Sequence, residues 1–325
     1  MSDVKAGIPG GLTYEEHGYW KQYQSCFPEK VRLGENEAPE EHWWSWKGHE
    51  IHIDRMKPEK PLPTKVLLLH GGGGNGRLLV PLAKGLRDAG YESLAPDLPG
   101  YGLTRLAPGV VPDYHLWLDL LGALVAEEKS REPERPLVVF GLSVGGMTGY
   151  LTCAGNDGVD GVIATNIVDL NNREVRDAAA RSRLLSQVGG GIMFGMPWLF
   201  DRVKLPVWMV APLDKMSTNE KLVELLKGDP HVGRVWMPSR FFRTLAEVKP
   251  PMDSERIRNC PLLLVHPGAD VWTPTEVSEA FFDRIESDNK EMVLLENCGH
   301  FPLEEPGLTT LLESVERFLK RVDGK

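Results

Sequence analysis

One serine in the chain stands in a context that could make it a nucleophile. Ser143 is the centre of a Gly-x-Ser-x-Gly pentapeptide at residues 141–145, which directly follows the apolar run 137–140. The run predicts a buried strand, and the small residues at 146–153 predict a helix. Strand, pentapeptide and helix together describe a tight turn that holds a serine above a sheet. Glycine suits both ends of the pentapeptide, because a Cβ there would collide with the neighbouring strand and helix.

A histidine and an aspartate follow two later apolar runs and could activate this serine. A serine hydroxyl is a poor nucleophile at neutral pH, so it needs a base within hydrogen-bond reach and a third group that orients the base. His300 follows the run 291–295, and its imidazole suits proton exchange near neutrality. Asp270 follows the run 261–265 and could fix the tautomer of His300.

A glycine-rich loop begins with His70 and follows the apolar run 65–69. One interpretation is a dinucleotide site, because Gly71, Gly73 and Gly76 formally match Gly-x-Gly-x-x-Gly. No Lys-Ser/Thr pair follows, which argues against a P-loop. The favoured interpretation is a loop whose backbone N–H groups face a developing negative charge, with glycine permitting close approach.

Strand-like and helix-like patterns alternate along most of the chain. This alternation predicts an α/β fold with a mostly parallel central sheet and helices on both faces. We expect an N-terminal arm over residues 1–41 and a core formed by 42–169 and 252–325. The core begins with an antiparallel hairpin, and His52 is expected on the solvated face of its second strand.

The alternation stops over residues 170–251, which are rich in large apolar side chains. We define these residues as the cap segment and predict an inserted helical cap whose inner face lines an acyl or aromatic binding pocket. The candidate substrate-binding residues are Met193, Phe194, Trp198 and Trp236.

Composition narrows the classes of partner. The 325 residues are 42% hydrophobic and can bury a large core, and the formal net charge is −9. Without a basic run interleaved with aromatic residues, no nucleic-acid partner is expected. We predict no transmembrane segment and a cytoplasmic location, because neither a signal-peptide pattern nor a membrane-length apolar stretch is evident. The four cysteines are scattered, which argues against a metal knuckle or a disulfide framework. No metal and no cofactor are expected.

These segments jointly resemble the α/β-hydrolase fold family. The resemblance is carried by the glycine loop after His70, the Asp-Leu-Pro-Gly-Tyr-Gly segment at 97–102, the pentapeptide around Ser143, and the loops that hold Asp270 and His300. It implies that Ser143 is the nucleophile, His300 the general base and then acid, and Asp270 the orienting carboxylate. Asp169 remains an alternative acid. It follows the predicted strand at 161–165, and some members of the family place the acid after that strand.

The resemblance also implies an oxyanion hole formed by the N–H groups of Val144 and Gly72, helped by Gly73. A serine at 143 argues against epoxide hydrolases and haloalkane dehalogenases, which use a carboxylate there. Residues 215–230 are similar to the segment that returns from cap to core in monoacylglycerol lipase and lysophospholipase-like esterases.

The predicted function is therefore that of a serine hydrolase that cleaves a carboxylic ester with an apolar acyl or alcohol part. The expected partner is a small-molecule ester or a lipid-like substrate. An amidase, thioesterase or carbon–carbon bond hydrolase could use the same triad, and a non-catalytic ligand-binding protein could keep the same fold. The sequence leaves the oligomeric state open.

Overall fold

The core of the molecule is a single sheet. The computed structural model describes residues 13–180, 194–287 and 289–324, and within them the sheet has eight strands in the order β1-β2-β4-β3-β5-β6-β9-β10. These strands are β1 Glu40–Trp46, β2 His49–Met56, β3 Lys65–Leu69, β4 Glu92–Pro96, β5 Leu137–Gly141, β6 Gly161–Ala164, β9 Leu262–Pro267 and β10 Lys290–Leu295. The strands β7 Lys204–Pro206 and β8 Trp236–Pro238 form a separate antiparallel pair.

The predicted fold class is confirmed. All pairings from β3 to β10 in the large sheet are parallel, whereas β1 pairs antiparallel with β2 and β2 with β4. β5 is buried at every residue, and its successive side chains face opposite cores, with Val139 in one and Phe140 in the other. The predicted hairpin is also confirmed, since β1 and β2 are joined by Lys47 and Gly48.

Helices cover both faces of the sheet. They are α1 Gly18–Gln24, α2 Val80–Asp88, α3 Tyr114–Arg131, α4 Val144–Gly155, α5 Arg173–Ala179, α6 Pro197–Phe200, α7 Val207–Val210, α8 Glu220–Gly228, α9 Ser239–Glu247, α10 Glu255–Asn259, α11 Thr275–Phe282 and α12 Gly307–Asp323. The helices α3, α4 and α11 share one buried cluster, and α2 and α12 share the cluster on the other face. In the described part of the chain, no helix combines the length and apolar character that a membrane span requires.

The cap segment contains α5 to α9 in its described part, together with the β7–β8 pair that the sequence analysis did not predict. It is inserted between β6 and β9, at the carboxyl edge of the parallel strands. Loops at this edge of a parallel sheet carry the ligand site in α/β folds. The insertion therefore covers the edge at which Ser143, Asp270 and His300 emerge.

The N-terminal arm packs against the cap segment through α1. It is less irregular than predicted, because α1 buries Trp20 and Tyr23. The Tyr23 hydroxyl donates to the Asp229 carboxylate over 2.8 Å, and the Tyr19 hydroxyl donates to the Gly228 carbonyl over 3.0 Å. The described part of the arm therefore packs against the cap segment of the same chain.

The prediction that His52 is solvated was wrong. His52 is buried, with Nε2 3.0 Å from a Glu41 carboxylate oxygen and Nδ1 3.1 Å from Asp97 Oδ2. Asp54 is buried beside it and receives two hydrogen bonds from the Arg77 guanidinium. The polar face of β2 is closed by the arm and by the residues after β3, so polar alternation here marks a buried ionic cluster.

Candidate active site

The turn between β5 and α4 has the geometry that the pentapeptide predicts. Ser143 adopts φ 56° and ψ −124°, a backbone conformation that is costly for a residue with a side chain. A Cβ on Gly141 would lie 1.9 Å from the Gly145 carbonyl oxygen, and a Cβ on Gly145 would lie 2.4 Å from the Leu69 carbonyl oxygen. Both glycines are required because backbone atoms, which cannot move aside cheaply, occupy the space.

We expect Gly145→Ala to destabilise the protein by about 1–3 kcal/mol, because the added methyl group meets the Leu69 carbonyl. Gly155→Ala is the matched control at the other end of α4, where a Cβ meets nothing within 4 Å. The control is expected to match or exceed the native stability, by at most about 1 kcal/mol. Urea unfolding measures both changes, and equal midpoints for the two variants would contradict this account of the turn.

His300 and Asp270 form a buried pair. The two atoms His300 Nδ1 and Asp270 Oδ2 lie 2.7 Å apart, within hydrogen-bond distance. Since an ionised carboxylate can only accept, Nδ1 carries the proton and Nε2 is left with a lone pair. Nε2 is buried and has no hydrogen-bond partner among the described residues, including Ser143. Catalytic hydrogen bonds are often long without substrate and tighten in the complex.

The Asp270 carboxylate is held by several donors. Oδ1 accepts the backbone N–H groups of Trp272 and Thr273 over 2.8 and 2.9 Å. Burial raises the pKa of Asp270, but the hydrogen bond and charge of His300 and the two backbone donors outweigh burial and lower it. Asp270 is therefore an ionised acceptor near neutrality.

Asp169, the alternative acid, is not brought to His300. Its Oδ1 accepts the backbone N–H of Asn171 over 3.0 Å, and its side chain lines the cavity beside Ser143. The structure therefore pairs His300 with Asp270.

The candidate oxyanion donors lie on either side of Ser143. Val144 is the first residue of α4, so its N–H has no acceptor within the helix. The N–H of Gly72 donates to none of the residues in the described ranges, and both residues line the cavity. Gly73 does not line it. Its φ of 81° turns the chain, and a Cβ there would lie 2.9 Å from Val207.

His70 anchors the glycine loop. Its Nε2 accepts the backbone N–H of Leu98 over 3.0 Å, so Nδ1 carries the proton and donates to the Gly71 carbonyl over 2.8 Å. Burial lowers the pKa of His70, which favours this neutral form. Asp97 holds the far end of the loop by accepting the N–H of Gly76 over 2.7 Å.

A cavity of about 460 Å³ opens beside Ser143. Its wall is mainly apolar and combines the core with the cap segment. The apolar residues include Met147, Leu151, Leu205, Val207, Met209, Phe241, Phe242 and Leu245. Val144, Met147 and Leu151 lie along one face of α4, and the seven helical steps from the first to the last span about 10 Å. The cavity therefore extends lengthwise away from the serine, as an elongated apolar group requires.

Of the four residues predicted to line the pocket, the structure places only some in the cavity wall. Phe194 lines the cavity. Trp198 and Trp236 do not line it, and they are 81% and 58% exposed on the cap segment. Met193 lies outside the described residues. The apolar pattern of short helices did not reveal which side faces inward, and the inner wall is instead built from residues such as Phe241 and Leu245.

One described cluster has the residue types of a metal site. Ligand atoms of Glu41, His52 and Asp54 lie within 4.8 Å of one another. The Arg77 guanidinium already binds Asp54 through two hydrogen bonds and lies 3.2 Å from Glu41. With Arg77 and a protonated His52, the cluster supplies its own positive charge and does not fit a metal site.

Two residues that hold the site were not predicted from the sequence. The Trp272 ring lies against His300, with centroids 4.4 Å apart, and lines the same cavity as Ser143. Asn166 donates to Asp270 Oδ2 over 3.1 Å. The available signal was their position in the loops that follow β6 and β9, because side chains there reach the same sheet edge.

Comparison with known proteins agrees with this architecture. The family model Hydrolase_4, described as serine aminopeptidase S33, matches residues 61–307. The phospholipase YtpA of Bacillus subtilis (strain 168) is 21% identical over 290 residues, which cover 85% of this chain and 98% of the relative.

Two solved structures show the same fold. A soluble variant of monoglyceride lipase from Saccharomyces cerevisiae, in complex with a substrate analog, has a TM-score of 0.73 and 19% identity and covers 91% of this chain and 98% of its own. Monoacylglycerol lipase from Paleococcus ferrophilus has a TM-score of 0.62 and 18% identity, and the match covers 83% of this chain and 99% of the lipase chain.

The fold and the family match define an α/β-hydrolase enzyme. Since the family model spans more than half of the chain, the chain belongs to the serine aminopeptidase S33 family.

Proposed function

We propose that this enzyme hydrolyses a carboxylic ester with an apolar acyl or alcohol part through an acyl-enzyme on Ser143. The observation that carries the proposal is the position of Ser143, which stands on a strained turn and lines an elongated apolar cavity. The similar phospholipase and monoglyceride lipases have names that denote lipid esters, which supports this substrate class.

Acylation would begin with attack of Ser143 Oγ on the ester carbonyl carbon. His300 Nε2 accepts the serine proton, while Asp270 holds Nδ1–H and stabilises the imidazolium. The carbonyl oxygen becomes an oxyanion that the N–H groups of Gly72 and Val144 can bind. His300 then donates the proton to the leaving alkoxide, so the alcohol departs and the acyl group remains on Ser143.

Deacylation repeats the sequence with water. Nε2 of His300 takes a proton from the water molecule, whose oxygen attacks the acyl carbon. The second oxyanion collapses, the proton returns to Ser143 Oγ, and the carboxylic acid is released. No step requires a cofactor.

Burst kinetics with p-nitrophenyl acetate, butyrate, octanoate and dodecanoate test the proposal. We expect p-nitrophenol release with an initial burst stoichiometric with enzyme wherever deacylation is slower than acylation, and a higher kcat/KM for octanoate than for acetate. Matched p-nitroanilides test the amidase alternative. Failure to hydrolyse any of the esters, with the protein folded, would contradict the proposal.

The far end of the cavity is expected to set the chain-length limit. Leu151→Trp fills the space two helical turns beyond Val144, so it should lower kcat/KM for dodecanoate by about 10-fold or more and leave acetate within about 3-fold. Leu199→Trp is the matched control, because Leu199 is exposed and outside the cavity wall. An equal loss for both esters in Leu151→Trp would contradict this orientation of the acyl chain.

A further inference from the structure

A buried hydrogen-bond chain connects the end of β6 to the candidate triad. The backbone N–H of Ser143 donates to Thr165 Oγ1 over 3.2 Å, and this hydroxyl donates to Asn166 Oδ1 over 3.0 Å. The Asn166 amide nitrogen lies 3.1 Å from Asp270 Oδ2 and 3.2 Å from His266 Nε2. Thr165, Asn166 and His266 are all fully buried.

The direction of each hydrogen bond follows from His266. Its Nδ1 lies 3.0 Å from the Pro267 carbonyl oxygen, which can only accept, so Nδ1 carries the proton. Nε2 therefore presents a lone pair to the amide nitrogen of Asn166. The charged or titratable groups that act on His266 are Asp270, His300 and Glu276. Burial outweighs the attraction of the two carboxylates and lowers the pKa of His266, which favours the neutral imidazole.

Neutral His266 thereby fixes the orientation of the Asn166 amide. One amide hydrogen is directed to His266 and the other to Asp270, while the Thr165 hydroxyl donates to the amide oxygen. A flipped amide would place its oxygen against two acceptors, Asp270 Oδ2 and His266 Nε2. Buried polar groups without partners cost about 1–3 kcal/mol, so the flip is strongly disfavoured.

We propose that Asn166, held in place by His266, is a positioning residue that orients the Asp270 carboxylate and moderates its negative charge toward His300. The proposal rests on the proposed function of the triad. Asp270 Oδ2 accepts from both Asn166 and His300, so the Asn166 hydrogen bond fixes the oxygen to which His300 Nδ1 is directed. Removal of this donor would leave the carboxylate freer to rotate and more strongly attractive to the imidazolium.

Asn166→Leu tests the role of the donor with a side chain of similar size. We expect kcat to fall by about 10–100-fold with KM changed by less than about 3-fold, as for other groups that orient a catalytic residue. The acidic limb of the kcat/KM profile should move to higher pH, because a less satisfied carboxylate stabilises the protonated imidazole. Asn166→Ser removes the amide without adding bulk and guards against a folding defect in the leucine variant.

The His266 variants separate positioning from packing. His266→Gln can supply an acceptor oxygen to Asn166 and is expected to retain activity within about 3-fold, whereas His266→Leu should resemble Asn166→Leu. The double variant Asn166→Leu/His266→Leu should lose little more than either single variant, because both act through one hydrogen-bond chain.

Proton NMR gives a readout that does not depend on turnover. The His300 Nδ1 proton, which lies in the 2.7 Å contact with Asp270, should give a downfield resonance in the native protein. This resonance should shift in Asn166→Leu and in His266→Leu. In His266→Gln it should return to the native position. An unchanged resonance, kcat and pH profile in folded Asn166→Leu and Asn166→Ser would overturn the positioning role. If the native protein failed to hydrolyse esters but the resonance still depended on Asn166, only the proposed function would fall.

Discussion

Ser143→Ala is expected to lower kcat for p-nitrophenyl octanoate by about 10⁴-fold or more, because the proposed acyl-enzyme forms on the Ser143 hydroxyl. The substitution removes one oxygen atom from a side chain that caps no helix, so the fold should be retained. Steady-state kinetics with the native protein and the variant measure the loss, and the burst of p-nitrophenol should disappear with it.

Ser239→Ala is the matched control for this prediction. Ser239 is a buried serine that lines the same cavity, and its hydroxyl donates to the Val203 carbonyl over 2.9 Å. Loss of this hydrogen bond should cost about 1 kcal/mol of stability and leave kcat within about 10-fold. Retention of native kcat in Ser143→Ala would assign the chemistry to a different residue.

His52→Gln is expected to reduce the free energy of unfolding by about 3–5 kcal/mol near neutral pH. The buried imidazolium balances Glu41, Asp54 and Asp97, and a neutral amide would leave these carboxylates with less compensating charge. Burial disfavours the charged imidazole, but Asp97, Glu41 and Asp54 outweigh burial and raise the pKa of His52 to about 10.

The stabilisation contributed by His52 is expected to decrease as the pH rises. Because the pKa is raised on folding, the stabilisation is fully present below the unfolded pKa of about 6.5 and is lost as pH rises toward the folded pKa. The difference between native protein and His52→Gln should therefore shrink between about pH 6.5 and the pKa of about 10. Urea unfolding across this range measures it.

His42→Gln provides the comparison on the same hairpin. His42 is only partly buried, and its partner Glu40 is exposed, so its loss should change the stability by less than about 1 kcal/mol. If His52→Gln and His42→Gln were equally stable at neutral pH, the charge balance assigned to the buried cluster would be wrong.

The sequence predicted the elements whose signal is local. Buried parallel strands have continuous apolar runs, so β3, β5 and β9 were found close to their observed bounds. The turn at Ser143 was predictable because glycine is the residue that fits against backbone atoms at 141 and 145. The loops of Asp270 and His300 followed from the rule that the carboxyl ends of parallel strands share one edge.

Other features depend on tertiary contacts that no local pattern encodes. His52 looked solvated because it alternates with apolar residues, and only the arm and Arg77 make its face a buried ionic cluster. Trp198 and Trp236 looked like pocket residues because of their size, whereas the orientation of short helices decides which side chains point inward. The position of Asn166 after β6 indicates the site edge, but its hydrogen-bond partners His266 and Asp270 could not be predicted, since they lie about a hundred positions away in sequence.

Covalent labelling of Ser143 tests the central claim most directly. The native protein is incubated with an alkyl fluorophosphonate, and intact mass and peptide mapping locate the adduct. We expect one adduct per chain on Ser143, blocked by prior incubation with a slowly deacylating ester and absent in Ser143→Ala. An unlabelled native protein, or an adduct on another residue that persists in Ser143→Ala, would contradict it.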